Sequence, residues 1–428
     1  MGESAWVIVR SSRTPCRPIV SALVASGKSV RSAPCSGGAR GSLGEGLGPR
    51  GGGTSGVGLV VARLVPAAAM THTPSDGLLD APGELRPDER LDEARLDAWI
   101  RAHVPGLDGN LRVSQFHGGH ANLTYCVAYG EREFVVRRPP LGPVAPRSHD
   151  MRRECRALGA LAPLYAPAPR PFGLCEDEGV IGAVFFVMER RRGLIVRGGW
   201  PAGLPDDPAQ RRRMGEALVD ALADLHLVDS TRPEIAALGK PEGFVERQVN
   251  GWYERWERAR TREIPAMDEV CAWLRERLPD AQAVSVLHND YKLDNAMFDL
   301  ADPGRLVAVF DWDMASLGDP LVDLGTLLGY WSEPGDVGGR GTAGAITALP
   351  GFPTRREMTE RYAARTGFDV SKIAFYEAFA LFKTAVVLEQ IYVRWVHGQT
   401  KDPRFEALGS IVPILAEGAR GVAQRQDG

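Results

Sequence analysis

The sequence predicts an α+β protein of two lobes: a small antiparallel β lobe over residues 88–192, then a larger, mainly helical lobe over residues 193–420. Three observations carry this. Short apolar runs separated by turn residues fill the first part, as half-buried strands require. From about Gln210 the apolar positions recur at helical spacing. Between the later helical segments lies a polar loop, followed by a hairpin with a strong turn signal, Asp302-Pro303-Gly304.

In order, residues 89–103 read as an amphipathic helix with Leu91, Leu96, Trp99 and Ile100 on one side. Residues 113–116 and 123–129 are strands joined through His117-Gly118-Gly119-His120-Ala121-Asn122, and residues 133–137 are a third. Residues 152–161 form a helix, and residues 180–189 an apolar strand pair or one long strand leading into Arg190-Arg191-Arg192-Gly193. Met214, Leu218, Ala221, Leu222 and Leu225 mark a helix ending near His226, and residues 252–260 and 267–278 are further helices. Residues 284–287 lead into the polar loop; 296–298 and 306–310 form the hairpin. Asp319-Pro320 starts another helix, since Asp caps the first free N–H groups and Pro suits the first turn. Residues 375–396 form a long helix.

Residues 1–75 differ from this pattern. They are rich in Gly, Ser, Arg and Ala, and such a segment buries too little surface to offset its ordering entropy. The sequence reading is a disordered or over-extended N-terminus, with an alternative start at Met70. The first 69 residues carry a net charge of +6 and the remainder −9, so the body is acidic, which argues against nucleic acid as a partner. Six cysteines without a C-x-x-C pair read as free thiols in a reducing, cytoplasmic compartment. No run of about 18 apolar residues is present, so no membrane span is expected.

The chemistry is concentrated in His288-Asn289-Asp290-Tyr291-Lys292-Leu293-Asp294-Asn295, spaced H-x-D-x-K-x-x-N, and in Asp311 at the end of the hairpin. Phosphoryl transfer needs an attacking hydroxyl held in line by one carboxylate, and Asp290 is the candidate. Asn295 and Asp311 offer the two hard oxygens that hold a nucleotide-bound Mg²⁺, and Lys292 can aim a point charge at the transferring phosphate. In the small lobe, Gly118 and Gly119 let backbone N–H groups approach phosphates. Arg137, oriented by Glu154, can hold the α- and β-phosphates of ATP.

These residues resemble the aminoglycoside phosphotransferase/choline kinase-like family, which has the protein-kinase-like fold, and within it the branch associated with acyl-CoA dehydrogenases. The resemblance spans residues 90–410. It rests on the glycine run through Tyr125, on Phe134-Val135-Val136-Arg137-Arg138-Pro139-Pro140, on Val187-Met188-Glu189, on Leu222-Ala223-Asp224-Leu225-His226, and on the catalytic loop. It also rests on Asp311-Trp312-Asp313 through Leu324 and on Leu388-Glu389-Gln390-Ile391-Tyr392-Val393-Arg394-Trp395. It implies that Asp290 is the catalytic aspartate and that Asn295 and Asp311 bind magnesium. It places Asn122 with the glycine turn, Met188 beside adenine, and the backbone of Glu189 and Arg191 in contact with it. His288 is expected to brace the loop, and association with enzymes of acyl-CoA metabolism is implied.

Three positions depart from the family pattern: Arg137 replaces Lys, Asn289 replaces Gly, and Ala121 replaces Ser. They motivate the alternative of a nucleotide-binding pseudokinase or scaffold, which the intact Asp290, Asn295 and Asp311 oppose. Only eight residues separate Asp311 from Pro320, too few for a peptide-docking segment, so the expected acceptor is a small-molecule hydroxyl. An aminoglycoside kinase remains an alternative. Lys383 and Arg394 on the last long helix favour a more apolar or anionic acceptor, such as a hydroxyacyl-CoA, and read equally well as surface cations.

Overall fold

The structure, a computed structural model, describes residues 80–117, 122–141, 149–336, 340, 344–400 and 403–427. The N-terminal segment and the glycine turn with Gly118, Gly119 and Ala121 lie outside these residues.

The first lobe comprises α1 (Glu93–His103), β1 (Leu111–Phe116), β2 (Leu123–Tyr129), β3 (Arg132–Arg138), α2 (Met151–Leu161), β4 (Pro171–Cys175) and β5 (Phe185–Glu189). The strands form one antiparallel sheet in the order β1-β2-β3-β5-β4. Both of its faces are covered, which is why its strands read as apolar runs. Tyr125, Val127, Phe134, Val136, Phe185 and Val187 pack with Leu96 and Ile100 of α1. Cys126, Val135, Phe186 and Met188 point the other way, into the core shared with α2. The two-residue period therefore puts Arg137, two after Val135, on the α2 face. On α2, Glu154 falls within the buried stripe Met151, Ala157, Leu158, Leu161.

The second lobe contains β6 (Leu194–Ile195), α3 (Pro208–His226), α4 (Pro233–Ala236), α5 (Phe244–Ala259), α6 (Pro265–Glu276), β7 (Ser285–Leu287), β8 (Ala296–Phe298), β9 (Leu306–Val309) and β10 (Ser316–Gly318). Helices α7 (Leu321–Tyr330), α8 (Arg355–Thr366), α9 (Ile373–Val396) and α10 (Leu408–Asp427) complete it. Its helical core is continuous with the α2 face of the sheet. This is the expected α+β arrangement.

Several expected boundaries move. α1 starts at Glu93, capped by Asp92, because Pro87–Glu89 forms a separate 3₁₀ turn. Residues 180–184 are not strand: Val180 and Gly182 close turns onto Asp177 and Glu178, with Gly182 at φ +79°. α5 begins eight residues before the expected 252, directly after Gly243 at φ +60°. The hairpin forms as expected, with Arg305 N–H donating to the Asp302 carbonyl. Asp319 Oδ1 accepts the Leu321 N–H at 2.9 Å, and Pro320 takes the cap position itself.

α7 and α9 meet without large side chains between them. A Cβ on Gly325 would lie 2.5 Å from the Tyr376 backbone, and one on Gly329 2.9 Å from the Ala380 Cβ. Gly251, inside α5, faces open space instead. Gly325→Ala should therefore cost about 1–3 kcal/mol in a urea or thermal melt, by overpacking. Gly251→Ala should gain about 0.5–1 kcal/mol by favouring the helix. Equal effects would refute the close helix contact.

Candidate active site

The catalytic loop leaves β7, which pairs with β10 so that Leu287 lies opposite Ser316. Its first peptides are fixed by Asp323, in the first turn of α7, whose carboxylate accepts the His288 N–H at 2.6 Å and the Asn289 N–H at 2.7 Å. Burial pushes this carboxyl up. The hydrogen bonds it accepts from the His226 side chain and the His288 N–H act against that, and it is held below the usual range. His226 Nδ1 in turn lies 2.6 Å from the Tyr362 hydroxyl.

His288 braces the loop. Its Nε2 lies 2.8 Å from the Phe310 carbonyl, and its Nδ1 accepts the Asp290 N–H at 3.3 Å, which assigns the ring hydrogen to Nε2. Asn289 sits at φ +66°, the left-handed region that glycine adopts freely. Its amide donates to the Met314 carbonyl and to Ser316 Oγ, both at 2.9 Å. Asn289 thus adopts the backbone geometry open to glycine and adds two bonds that glycine lacks.

The carboxylate of Asp290 accepts Lys292 Nζ at 2.7 Å and Asn295 Nδ2 at 3.2 Å. Lys292 Nζ also lies 5.0 Å from the Tyr330 ring centre. Burial opposes the Lys292 charge, but Tyr330 and Asp290 more than compensate and raise its pKa. With its nitrogen turned to Asp290, Asn295 leaves its amide oxygen free of partners among the described residues. The hairpin register places Phe310 N–H on the Asn295 carbonyl at 2.9 Å, so Asp311 emerges beside Asn295. Asp311 adopts φ +73°, an uncommon conformation for a residue with a Cβ.

Arg137 joins the lobes. Its Nη2 donates to Asp311 Oδ1, and its Nε lies 3.1 Å from Glu154 Oε2, an ion pair without hydrogen-bond alignment. Burial raises the Glu154 carboxyl against the pull of Arg137. Burial also opposes the Arg137 charge, but Glu154 and Asp311 raise its pKa overall, so the guanidinium stays charged. In Asp311, the pull of Arg137 outweighs burial and keeps the carboxyl below the usual range. Asn295 and Asp311 together present an amide and a carboxylate oxygen, a donor set suited to a magnesium ion that keeps water and phosphate oxygens as its other ligands.

The profile of the phosphotransferase enzyme family matches residues 112–361, more than half of the chain and all of the loop, hairpin and Arg137. The chain belongs to this family. Its relatives include acyl-CoA dehydrogenase family member 11 of Rattus norvegicus, 31% identical over 345 residues. They also include family member 10 of Mus musculus, 31% identical over 320 residues. These matches cover 78% and 74% of this chain but only 44% and 30% of the relatives, so the chain spans less than half of either. A crystal structure from Ralstonia eutropha JMP134, provisionally assigned as an aminoglycoside phosphotransferase, is 33% identical with a TM-score of 0.68, covering 78% of this chain and 99% of that one. Aminoglycoside phosphotransferase APH(4)-Ia has a TM-score of 0.51 at 15% identity over 77% of this chain and 98% of its own, a likeness of fold. The chain therefore has the kinase-like fold expected, and the acyl-CoA dehydrogenase-associated resemblance is borne out.

In this chain the loop, Lys292, Asn295, Asp311, Arg137 and Glu154 form one connected group. The adenine-side residues fit less simply. Met188 is almost fully buried in the core, and the Glu189 N–H donates to the Arg170 carbonyl at 2.8 Å, so Glu189 offers a base its carbonyl and not its N–H. Asn122 Oδ1 pairs with His149 Nδ1 at 2.9 Å, while its buried Nδ2 lacks a hydrogen-bond partner. Sequence reading did not single out His149, which sits at φ +58° just before Asp150, the cap of α2, and interacts with Asp311 and Arg137. It also gave no site role to Asp313, whose carboxyl burial and Asp311 push up to about 6. A second acid two residues after Asp311 was the available signal.

Asn289→Gly should keep the loop geometry but lose the two side-chain bonds. Asn289→Ala should lose them and strain the backbone as well, costing about 1–2 kcal/mol more in a denaturant melt. Equal stability of the two variants would contradict the left-handed geometry. Asp323→Ala should cost about 3–5 kcal/mol by stranding buried N–H groups and His226. A loss under about 1 kcal/mol would show that this carboxylate does not hold the loop.

Proposed function

We propose that the protein transfers the γ-phosphate of ATP to a hydroxyl of a small molecule, with Mg²⁺ as cofactor. The carrying observation is the Asp290 carboxylate, held by Lys292 and Asn295 beside the Asp311 end of the hairpin. The acceptor oxygen bonds to the γ-phosphorus, the bond to the β,γ-bridging oxygen breaks, ADP leaves, and Asp290 receives the hydroxyl proton. Lys292 sits where it offsets charge on the transferring group, and Arg137 would exchange contact with Asp311 for contact with phosphate oxygens. Asn295 and Asp311 would hold the magnesium, which neutralises charge developing on the phosphates when bound.

A small acceptor is supported by the short span after Asp311, which is filled by the 3₁₀ turn Trp312–Met314 and by β10. A hydroxyacyl-CoA acceptor, and association with acyl-CoA-metabolising enzymes, are supported by the names of the relatives. Among the described residues no helix is long and apolar enough to cross a membrane.

The test is phosphotransfer by the purified full chain to a panel of hydroxyacyl-CoAs, hydroxy acids, aminoglycosides and peptides. Asp290→Ala should retain the melting profile and lose about 10²–10⁴-fold in turnover. Turnover surviving that change would remove Asp290 from the mechanism. MgATP binding without transfer to any acceptor would favour the pseudokinase reading.

A further inference from the structure

Lys383 and Arg394 lie on the same long helix but meet different fates. Arg394 is exposed, whereas Lys383 is drawn down onto the catalytic loop, where Nζ donates to the Asn289 carbonyl at 2.6 Å, one residue before Asp290. The same Nζ lies 5.5 Å from the ring centre of Trp252 on α5. The guanidinium carbon of Arg255 lies 4.2 Å from that ring centre. Trp252 is 5% exposed, and both cations lie against its ring.

The surrounding charges are one-sided. Lys292 is matched by Asp290 at 2.7 Å. On α5, Glu254 pairs with Arg258 and Glu257 with Arg260, and Arg255 makes no ion pair among the described residues. Lys383 makes no ion pair among the described residues; the charges it feels most are Asp290, Asp323, Lys292 and Arg255. Burial pushes its pKa down, and Asp290 and Asp323 oppose the fall. Lys383 and Arg255 therefore share the Trp252 ring without an ion-pair partner among the described residues, and Lys383 reaches the residue before Asp290. A polycationic sugar would meet like charge there, which is destabilising. A ligand oxyanion would instead meet cations that have no ion-pair partner of their own.

We infer that Lys383, Arg255 and Trp252 form an acceptor subsite that takes an anionic oxygen of the molecule whose hydroxyl is presented to Asp290. This rests on the kinase reading of the site and narrows its acceptor to hydroxylated anions. The anion has two chemical sources: the carboxylate of a free hydroxy acid, or the phosphates of its CoA thioester.

Calorimetric titration of the full chain with MgADP present distinguishes them, using hydroxyoctanoate, hydroxyoctanoyl-CoA and octanediol. At least one anionic probe should bind about tenfold or more tightly than the diol, the scale of one charged contact. Lys383→Met and Arg255→Ala should each erase most of that preference. Arg255 is at the surface, so its variant tests the subsite even if Lys383→Met fails to fold. Tight binding of hydroxyoctanoate assigns the carboxylate, and of the thioester alone, the phosphates. If no anion binds better than the diol, or both variants keep the preference, the subsite is wrong and Lys383 only staples the Asn289 carbonyl. The kinase reading fails separately, by absence of MgATP binding in the wild-type chain.

Discussion

The buried carboxylate of Asp323 is the constraint on which the site depends. Two adjacent backbone N–H groups, those of His288 and Asn289, end on its two oxygens. Directly after these two N–H groups Asn289 turns the chain, at φ +66°. The turn sends the Asp290 side chain toward Lys292 and Asn295, while the His288 ring spans back to the Phe310 carbonyl. α7 presents Asp323 at the right height because its glycines let α9 pack against it at near backbone contact. A stability feature, close helix packing, thereby sets the geometry of a chemical one.

The second junction lies between the lobes. Arg137 is buried between Glu154 of the small lobe and Asp311 of the large one, and a buried guanidinium needs both partners to offset its desolvation. Arginine suits this position better than lysine, because its fork reaches two carboxylates at once and it keeps its charge on burial. The substitution that counted as a departure from the family pattern therefore has a geometric use. Asp311, at φ +73°, is held in an uncommon backbone state at the position proposed to hold magnesium, as strained residues at functional sites often are.

Much of this was legible in the sequence, because the loop and hairpin are local. H-x-D-x-K-x-x-N and the Asp302 turn fix Asp290, Asn295 and Asp311 within about twenty residues, and the hairpin register does the rest. Arg137 at the end of a strand and Glu154 on the helix that follows were also paired from their order in the chain. What escaped depends on contacts distant in sequence. His149 acquires its place from Asn122, 27 residues away, and Lys383 from Asn289, 94 residues away. β4 was missed because Pro171 and Gly173 break the strand signal, which an edge strand with a bulge tolerates. α8 was missed because only Met358 and Tyr362 of its twelve residues are buried, leaving almost no apolar stripe. In α10, Pro413 lies inside the helix and argues locally against it.

The most direct measurement is the thermal shift of the full chain with ATP, with and without Mg²⁺, beside Asp311→Ala. A ligand that binds only the native state must raise its melting temperature, by about 2.7 kcal/mol of stabilisation at one hundred times its Kd. A shift with ATP that grows with Mg²⁺, and a magnesium-dependent part that disappears in Asp311→Ala, would place nucleotide and metal at the loop and hairpin. No shift at saturating MgATP, or a full magnesium response in the variant, would contradict the site described.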